Sequence, residues 1–501
     1  WHARDSSNVL AFSAVAYCFA RHLEPEIEVP IGLIGAYWGG TAIEGWMSRQ
    51  VLDSLTRYQK MTAELSNQRK SAPDLMSDYE RDMGRWIDAS QKADQGFSQG
   101  WYFERYDDSA WPEMRLPAIW EFAGLPDHDG SVWFRKEFFV PSDMQYKDLY
   151  LHLPRIDDHD KVWVNGKEIG GKRSTEHRIY QIARNLLNDR ENSLTIRVFD
   201  SGYQGGIWGH EEDFYITDRE SRIPLRGNWQ YQPGVSHQQL DEKPSMMLNG
   251  ATPMVLYNAM IAPLIPFALK GVIWYQGESN TGRAYEYRQL FPMMIRDWRR
   301  RWQQDLPFLF VQLANFQQPD AKPGPSTWAE LREAQAMALN LPQTAMATAI
   351  DLGEAENVHP DKKEEVGRRL ALAARGLIYD EDIVHSGPVY DSMEIIGNQI
   401  VISFDIQGSP LSTPDPYGYL KGFSIARADR EFEKAKAYIL DDSTVVVYHD
   451  TMINPVAVRY GWANNPDDIN LYNKAGLPAL PFRTDDWPGV TYDVKRFSMG
   501  R

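Results

Sequence analysis

The stretch 271–280, Gly-Val-Ile-Trp-Tyr-Gln-Gly-Glu-Ser-Asn, constrains the fold of this chain more than any other. Residues 272–275 form a compact β-branched and aromatic run, which suits a short strand covered on both faces. The run breaks at Gln276-Gly277, and polar residues then crowd a turn. A helix is expected over about 285–302, where Tyr287, Leu290, Met293, Met294 and Trp298 recur at helical spacing. A strand ending in a polar turn that opens a helix puts the turn at the carboxyl edge of an α/β sheet, where ligands bind.

The same alternation surrounds it. A helix is expected over 12–23, then a strand at 31–34 that runs into Trp38-Gly39-Gly40-Thr41, and a second helix from near Ala42. A glycine pair just past a strand lets the backbone approach a ligand and point its N–H groups outward. Residues 50–95 read as a polar helical hairpin interrupted at Ser71-Ala72-Pro73, with Leu52, Leu55, Tyr58, Met61 and Leu65 three and four apart. The character then changes. Runs at 131–140, 148–153, 161–169 and 192–199, with an Asn165-Gly166 hairpin turn, predict an antiparallel sandwich inserted into the α/β sequence. The α/β pattern resumes with a helix at 257–269, a strand at 307–313 and a helix at 327–339. A strand at 344–350 and a helix at 362–379 complete it. Short strands at 399–404, 444–449 and 456–460 make a small C-terminal β domain. The expected domains are 1–98 and 229–383 as two parts of one α/β core, 99–228 as the insertion, and 384–501 at the C-terminus.

Composition narrows the ligand. With 53 Lys and Arg against 69 Asp and Glu, the net charge is −16, which argues against phosphate backbones and nucleic acid. Seventeen Trp and 25 Tyr supply flat faces for stacking on sugar rings, although sandwich cores use the same residues. Cys18 is the single cysteine, so an internal disulfide and a thiolate metal cluster are excluded. No run of 18 apolar residues is present, and no membrane partner is expected. The chain opens at Trp1-His2-Ala3-Arg4 without a signal peptide. No phosphate loop or dinucleotide fingerprint occurs, so no cofactor is expected. No metal is expected either: the histidines form no helical pair, and the carboxylates of Asp157-Asp158-His159-Asp160 are a solvated loop more readily than a Ca²⁺ site.

Several residues carry chemistry. Gly277-Glu278-Ser279-Asn280 offers Ser279 as a nucleophile on a strand-to-helix turn, but the second glycine of Gly-x-Ser-x-Gly is missing. Gln276 and Asn280 are amides, suited to donating hydrogen bonds to a developing oxyanion. His359 follows a strand by a short loop and precedes Pro360 at a helix start, the position of a general base at the sheet edge. Glu356, three residues earlier, and Asp351, at the strand end, are rival acids for orienting its ring.

The runs Phe12-Ser-Ala-Val-Ala-Tyr, Trp38-Gly-Gly-Thr, Leu256-Tyr-Asn-Ala-Met-Ile-Ala-Pro-Leu, Trp274-Tyr-Gln-Gly-Glu-Ser-Asn and His359-Pro with Glu365-Val-Gly-Arg-Arg-Leu resemble the sialate O-acetylesterases and related carbohydrate acetylesterases of the SGNH hydrolase superfamily. Asn470-Leu-Tyr-Asn, Gly476-Leu-Pro-Ala and Pro481-Phe-Arg-Thr-Asp extend the likeness to the C-terminus. The resemblance implies a three-layer α/β/α sandwich on a parallel sheet, a galactose-binding-like β jelly roll as the insertion, and a C-terminal β domain. It implies serine acyl transfer on an O-acetylated glycan, sialic acid or a plant polysaccharide such as xylan or xyloglucan. His359 becomes the base, with Gly40 and Gln276 holding the oxyanion, and losing one such donor costs about 3 kcal/mol in the transition state. The family's Gly-Gln-Ser-Asn block is absent between Trp1 and Arg501, so the nucleophile is expected upstream, on a separate or cleaved N-terminal segment. The superfamily's Asp-x-x-His stands here as Glu356-Asn357-Val358-His359, which leaves Glu356, Asp351 or a Ser-His dyad. A glycan substrate implies a secreted or periplasmic location. The competing reading is a non-catalytic carbohydrate-binding protein on a degenerate esterase core.

Overall fold

The computed structural model describes Val9 and residues 12–494, apart from 127, 174–176, 190, 203, 245–248 and 251. The chain divides into two compact units, one of Trp1–Arg69 with Leu248–Phe497 and the other of Lys70–Met247.

The first unit holds the α/β elements. Its helices and strands, in chain order, are α1 (Ala14–Leu23), β1 (Val272–Trp274), α2 (Ala284–Trp302), β2 (Phe308–Gln312), α3 (Thr327–Ala336), β3 (Thr344–Thr348) and α4 (Lys363–Ile378). The three strands form a parallel sheet in the order β1-β2-β3, with Val272 opposite Phe308 and Phe308 opposite Thr344. Alternate residues of β2 face opposite ways, because a strand repeats every two residues. Phe308 and Phe310 join α2 (Leu290, Phe291, Met294, Trp298) and α3 (Leu331, Ala334) in one core. Leu309 and Val311 join α1 (Val15, Phe19) and α4 (Val366, Leu370, Ala373) in another. Helices therefore cover both faces of the parallel sheet, which is why its strands read as unbroken apolar runs.

The expected strand at 31–34 makes no ladder among the described residues. Ile31 and Leu33 still pack against the α1–α4 core, so the alternation is present while the pairing is not. The expected helix at 257–269 shrinks to a wide turn at Tyr257–Ile261 and a tighter one at Ala262–Leu264. Pro263 has no N–H to give a continuing helix, and Pro266 follows it. Past α4, five- and four-stranded antiparallel sheets built between Val389 and Arg483 enclose a further core that includes Ile402, Ile425, Val445 and Val458.

The expected interruption falls between a helix at Thr56–Ser66 and one at Ala72–Ala93, and Ser71 caps the second. Ser71 Oγ accepts from the Asp74 N–H at 3.3 Å, the Asp74 carboxylate accepts from the Ser71 N–H, and Pro73 sits in the first turn of Ala72–Ala93. The rest of the second unit is antiparallel. A six-stranded sheet containing Gly130–Phe139, Glu191–Asp200 and His159–Val164 and a four-stranded sheet containing Leu149–Leu153 and Tyr215–Thr217 share one core, including Phe134, Leu151, Ile196 and Ile216. Asn165 (φ 48°) and Gly166 (φ 75°) make the expected hairpin turn between His159–Val164 and Lys167–Gly170.

No helix among the described residues is long and apolar enough to cross a membrane.

Candidate active site

The site is built where β1 ends. After Trp274 the chain passes through Tyr275, Gln276 and Gly277 into a tight turn at Glu278–Arg283 and then α2. Gly277 is required by crowding: a Cβ there would lie 2.7 Å from Leu331 Cδ2 and 3.1 Å from Gln335 Nε2, both on α3. Leaving it bare lets α3 close over the turn.

Gln276 is buried and fully engaged. Its amide nitrogen donates to the Thr41 carbonyl at 2.9 Å and to Asn280 Oδ1 at 2.7 Å. Its Oε1 accepts from Tyr287 Oη–H at 3.0 Å, and its backbone carbonyl accepts from Gln335 Nε2 at 3.1 Å. Both amide hydrogens, expected to face an oxyanion, are spent inside the protein.

The other expected donor segment lies against this turn. Gly40 has φ +67°, the left-handed region that favours glycine, and nothing lies within 4 Å of where a Cβ on Gly39 or Gly40 would stand. Thr41 Oγ1 donates to the Trp38 carbonyl at 2.9 Å and accepts from Trp46 Nε1–H at 3.0 Å, which closes the turn. Trp38 and Tyr37 are exposed beside it, at 62% and 49%.

Asn280 joins the two segments. Its Oδ1 accepts from the Ile43 backbone N–H at 2.9 Å as well as from Gln276, and its Nδ2 donates to Glu44 Oε2 at 3.1 Å. Glu44 is fully buried, accepts from Tyr58 Oη–H at 2.8 Å and pairs with Arg283 at 2.5 Å. Burial pushes the Glu44 carboxyl up, but the adjacent Arg283 guanidinium outweighs it and holds the group below the usual carboxylate range.

His359 is exposed on the loop between β3 and α4. Its backbone N–H donates to Asn357 Oδ1 at 3.0 Å, and Glu354 fixes the loop by accepting from the Asp361 N–H at 2.9 Å. Among the described residues no hydrogen bond or ion pair joins the His359 ring to Glu356, which is exposed, or to Asp351. Asp351 is occupied: Arg369 of α4 grips it in two-pronged fashion at 2.6 and 2.8 Å, and Tyr472 Oη–H donates to it at 3.4 Å. That acid anchors α4 to the end of β3.

A further acid whose charge reaches His359 is Glu278, between Gln276-Gly277 and Ser279-Asn280, although no hydrogen bond or ion pair joins the two side chains among the described residues. Burial pushes its carboxyl above the usual range, while its own N–H, the positive charge available at His359, the Gly277 N–H and Lys363 pull the other way. Lys363, at the start of α4, holds its ammonium 5.9 Å from the Tyr275 ring centroid. Burial lowers the Lys363 pKa, and Glu278 is the first charge opposing that shift. The start of α4 thus lies beside the end of β1, with Glu278 within reach of the charge on Lys363. The signal available beforehand was Glu278's place directly after Gln276-Gly277. Ser279 is exposed and makes no hydrogen bond to His359 among the described residues.

Among the described residues no group of three or more His, Cys, Asp or Glu side chains is arranged to hold a metal ion. In the acidic loop of the second unit, Asp160 pairs with Arg178 and accepts from Tyr180 Oη–H at 2.6 Å, while Asp158 accepts from the Ser201 N–H at 3.0 Å.

Residues 247–375, which hold Gln276, Glu278, Asn280, Asp351 and His359, match the family model described as carbohydrate esterase, sialic acid-specific acetylesterase. The chain resembles the sialate O-acetylesterases. It is 32% identical to the mouse sialate O-acetylesterase over 270 residues, covering 48% of this chain and 49% of that protein. The human sialate O-acetylesterase is 29% identical over 283 residues, with 48% and 51% covered. The chain thus spans about half the length of the curated relatives it matches. Among solved structures, a carbohydrate acetylesterase from Xanthomonas citri is 28% identical, covering 68% of this chain and 96% of that one, with a TM-score of 0.46. Gly40 and Glu44 lie outside the matched family segment.

Proposed function

We propose that this protein is a carbohydrate O-acetylesterase that removes acetyl groups from O-acetylated sugars by serine acyl transfer. The observation that carries the reading is the match of residues 247–375 to the acetylesterase family model, since that segment puts Gln276, Glu278 and His359 on loops at the carboxyl edge of a parallel sheet. In this reading the first unit is an SGNH-type α/β/α sandwich with a small C-terminal β domain, and the inserted antiparallel sandwich is a galactose-binding-like jelly roll. Helices on both faces of β1-β2-β3 and the two sheets around one core support those assignments.

The chemistry follows from the groups present. A serine Oγ from a segment preceding Trp1 attacks the acetyl carbonyl, and His359 takes its proton. Glu278 stabilises the imidazolium that forms, the part a buried carboxylate plays beside a catalytic histidine. The open Gly40 turn offers its N–H to the oxyanion. His359 then returns the proton to the departing sugar hydroxyl, and water releases acetate from the acyl-serine. The substrate is an acetylated sialoside or an acetylated plant oligosaccharide, and a secreted or periplasmic site of action goes with either.

Labelling the full-length protein with a fluorophosphonate and mapping the tagged peptide tests the mechanism. The expected tag is on a serine preceding Trp1, with labelling slowed by about 10²–10⁴-fold in His359→Ala. A tag on Ser279 reassigns the nucleophile, and equal labelling of parent and variant refutes the mechanism.

A further inference from the structure

We propose that Asn280 and Glu44 are a positioning pair that locks the turn at 38–43 against the turn at 276–280, and so sets the Gly40 N–H for the reaction. The proposal rests on the esterase reading above. The two turns are 235 residues apart in sequence at their Gln276–Thr41 contact, and Asn280 bonds to both, beside Gln276, at a backbone N–H and a buried carboxylate of the earlier segment. It accepts from Ile43 N–H on one side and Gln276 Nε2–H on the other, and its Nδ2 is held by Glu44. Asn280 is 1% exposed and Glu44 0%. A fully buried carboxylate costs several kcal/mol unless it is paired and its oxygens are filled. Here Arg283 and Tyr58 fill Oε1 and Asn280 fills Oε2. Packing alone would be better served by an apolar residue of the same volume. What the charged pair adds is direction: Asn280 cannot rotate without leaving Glu44 Oε2, Ile43 N–H and Gln276 Nε2–H unpaired together.

The donor and acceptor can be exchanged. Asn280→Asp sets a second carboxylate against Glu44, and Glu44→Gln turns an amide donor toward the Asn280 Nδ2. The double variant Glu44→Gln/Asn280→Asp restores a complementary pair, because the introduced carboxylate still accepts from Ile43 and Gln276 while the introduced amide donates to it. In the full-length protein acting on p-nitrophenyl acetate, each single variant is expected to lose about 10²-fold in kcat with KM within about threefold, the cost of roughly an ångström of misplacement. The double variant is expected to regain most of the loss. A double variant no better than the worse single, or an Asn280→Asp variant with parental kcat, overturns the proposal. Amide exchange at Ile43 reads the clamp without activity, including where a single variant is unstable or the parent releases no product. Protection at Ile43 in the parent, lost in Asn280→Ala while the β2 amides stay protected, supports it. Equal exchange at Ile43 in both sinks it. A parent without esterase activity refutes the esterase reading and leaves the clamp to be decided by exchange.

Discussion

At the residue scale, the proposed mechanism asks Glu278 to stabilise the imidazolium that forms at His359. Its carboxyl lies above the usual range because it is buried. As pH falls through that raised value it protonates and stops stabilising the imidazolium, so acid loss of activity should begin higher than an ordinary glutamate would set it. Glu278→Gln is expected to lower kcat about 10²-fold and to shift the acid limb of the pH–rate profile. Parental kcat and an unchanged profile would take Glu278 out of the mechanism. Asp200 in the second unit is a cleaner linkage test. Burial pushes it up to about 8, its Oδ1 accepts from the Gly202 N–H at 2.7 Å, and its Oδ2 has no partner among the described residues. The folded state therefore holds a proton that the unfolded chain gives up near about pH 4, and stability falls as pH rises through that window by up to about 1.4 kcal/mol per unit. Asp200→Asn should match the parent in urea unfolding at about pH 4 and exceed it at about pH 8.5. His359 stood out in the sequence because a histidine before proline ahead of a helix is a local signal. The acid proposed for it did not, since Glu278 lies far away in sequence, on the β1–α2 loop. Glu356 and Asp351 were nearer in sequence, but one is exposed and the other is held by Arg369.

At the scale of elements, periodicity sufficed wherever packing is one-sided or fully buried. The stripes of α2 and α4 and the apolar runs of β1 and β2 appear within one or two residues of expectation. Two misreadings have different causes. Local chemistry defeated the helix at 257–269, where Pro263 interrupts the ladder. Pairing defeated the strand at 31–34, because alternation states which side is buried but not whether a neighbour is present. What holds α3 to the sheet was invisible in the sequence. Arg332 is fully buried without a carboxylate partner among the described residues and donates to the carbonyls of Leu313, Ala314 and Ala463 at 2.8 Å and of Asn464 at 3.0 Å. Arg332→Met would strand the Leu313 and Ala463 carbonyls, while Trp328 Nε1–H still donates to Ala314 and the Phe316 N–H to Asn464. It should cost at least about 2 kcal/mol in urea unfolding, since each buried unpaired group costs about 1–3 kcal/mol. A loss under about 1 kcal/mol would show that water replaces the guanidinium.

At the scale of the whole molecule, the division at 69/70 and 247/248 makes residues 70–247 a continuous insertion with its own core. Expressed alone, that segment should unfold in one cooperative urea transition, and a featureless baseline would contradict it. The net charge of −16 and the aromatic content suit a glycan better than a polyanion. The most direct measurement is acetate release, followed by proton NMR, from O-acetylated sialosides and acetylated xylo-oligosaccharides by the full-length protein and its His359→Ala variant. The account predicts acetate from at least one acetylated sugar with the parent and a fall of about 10²–10⁴-fold with the variant. No acetate from any of them, or equal release by both proteins, would contradict it.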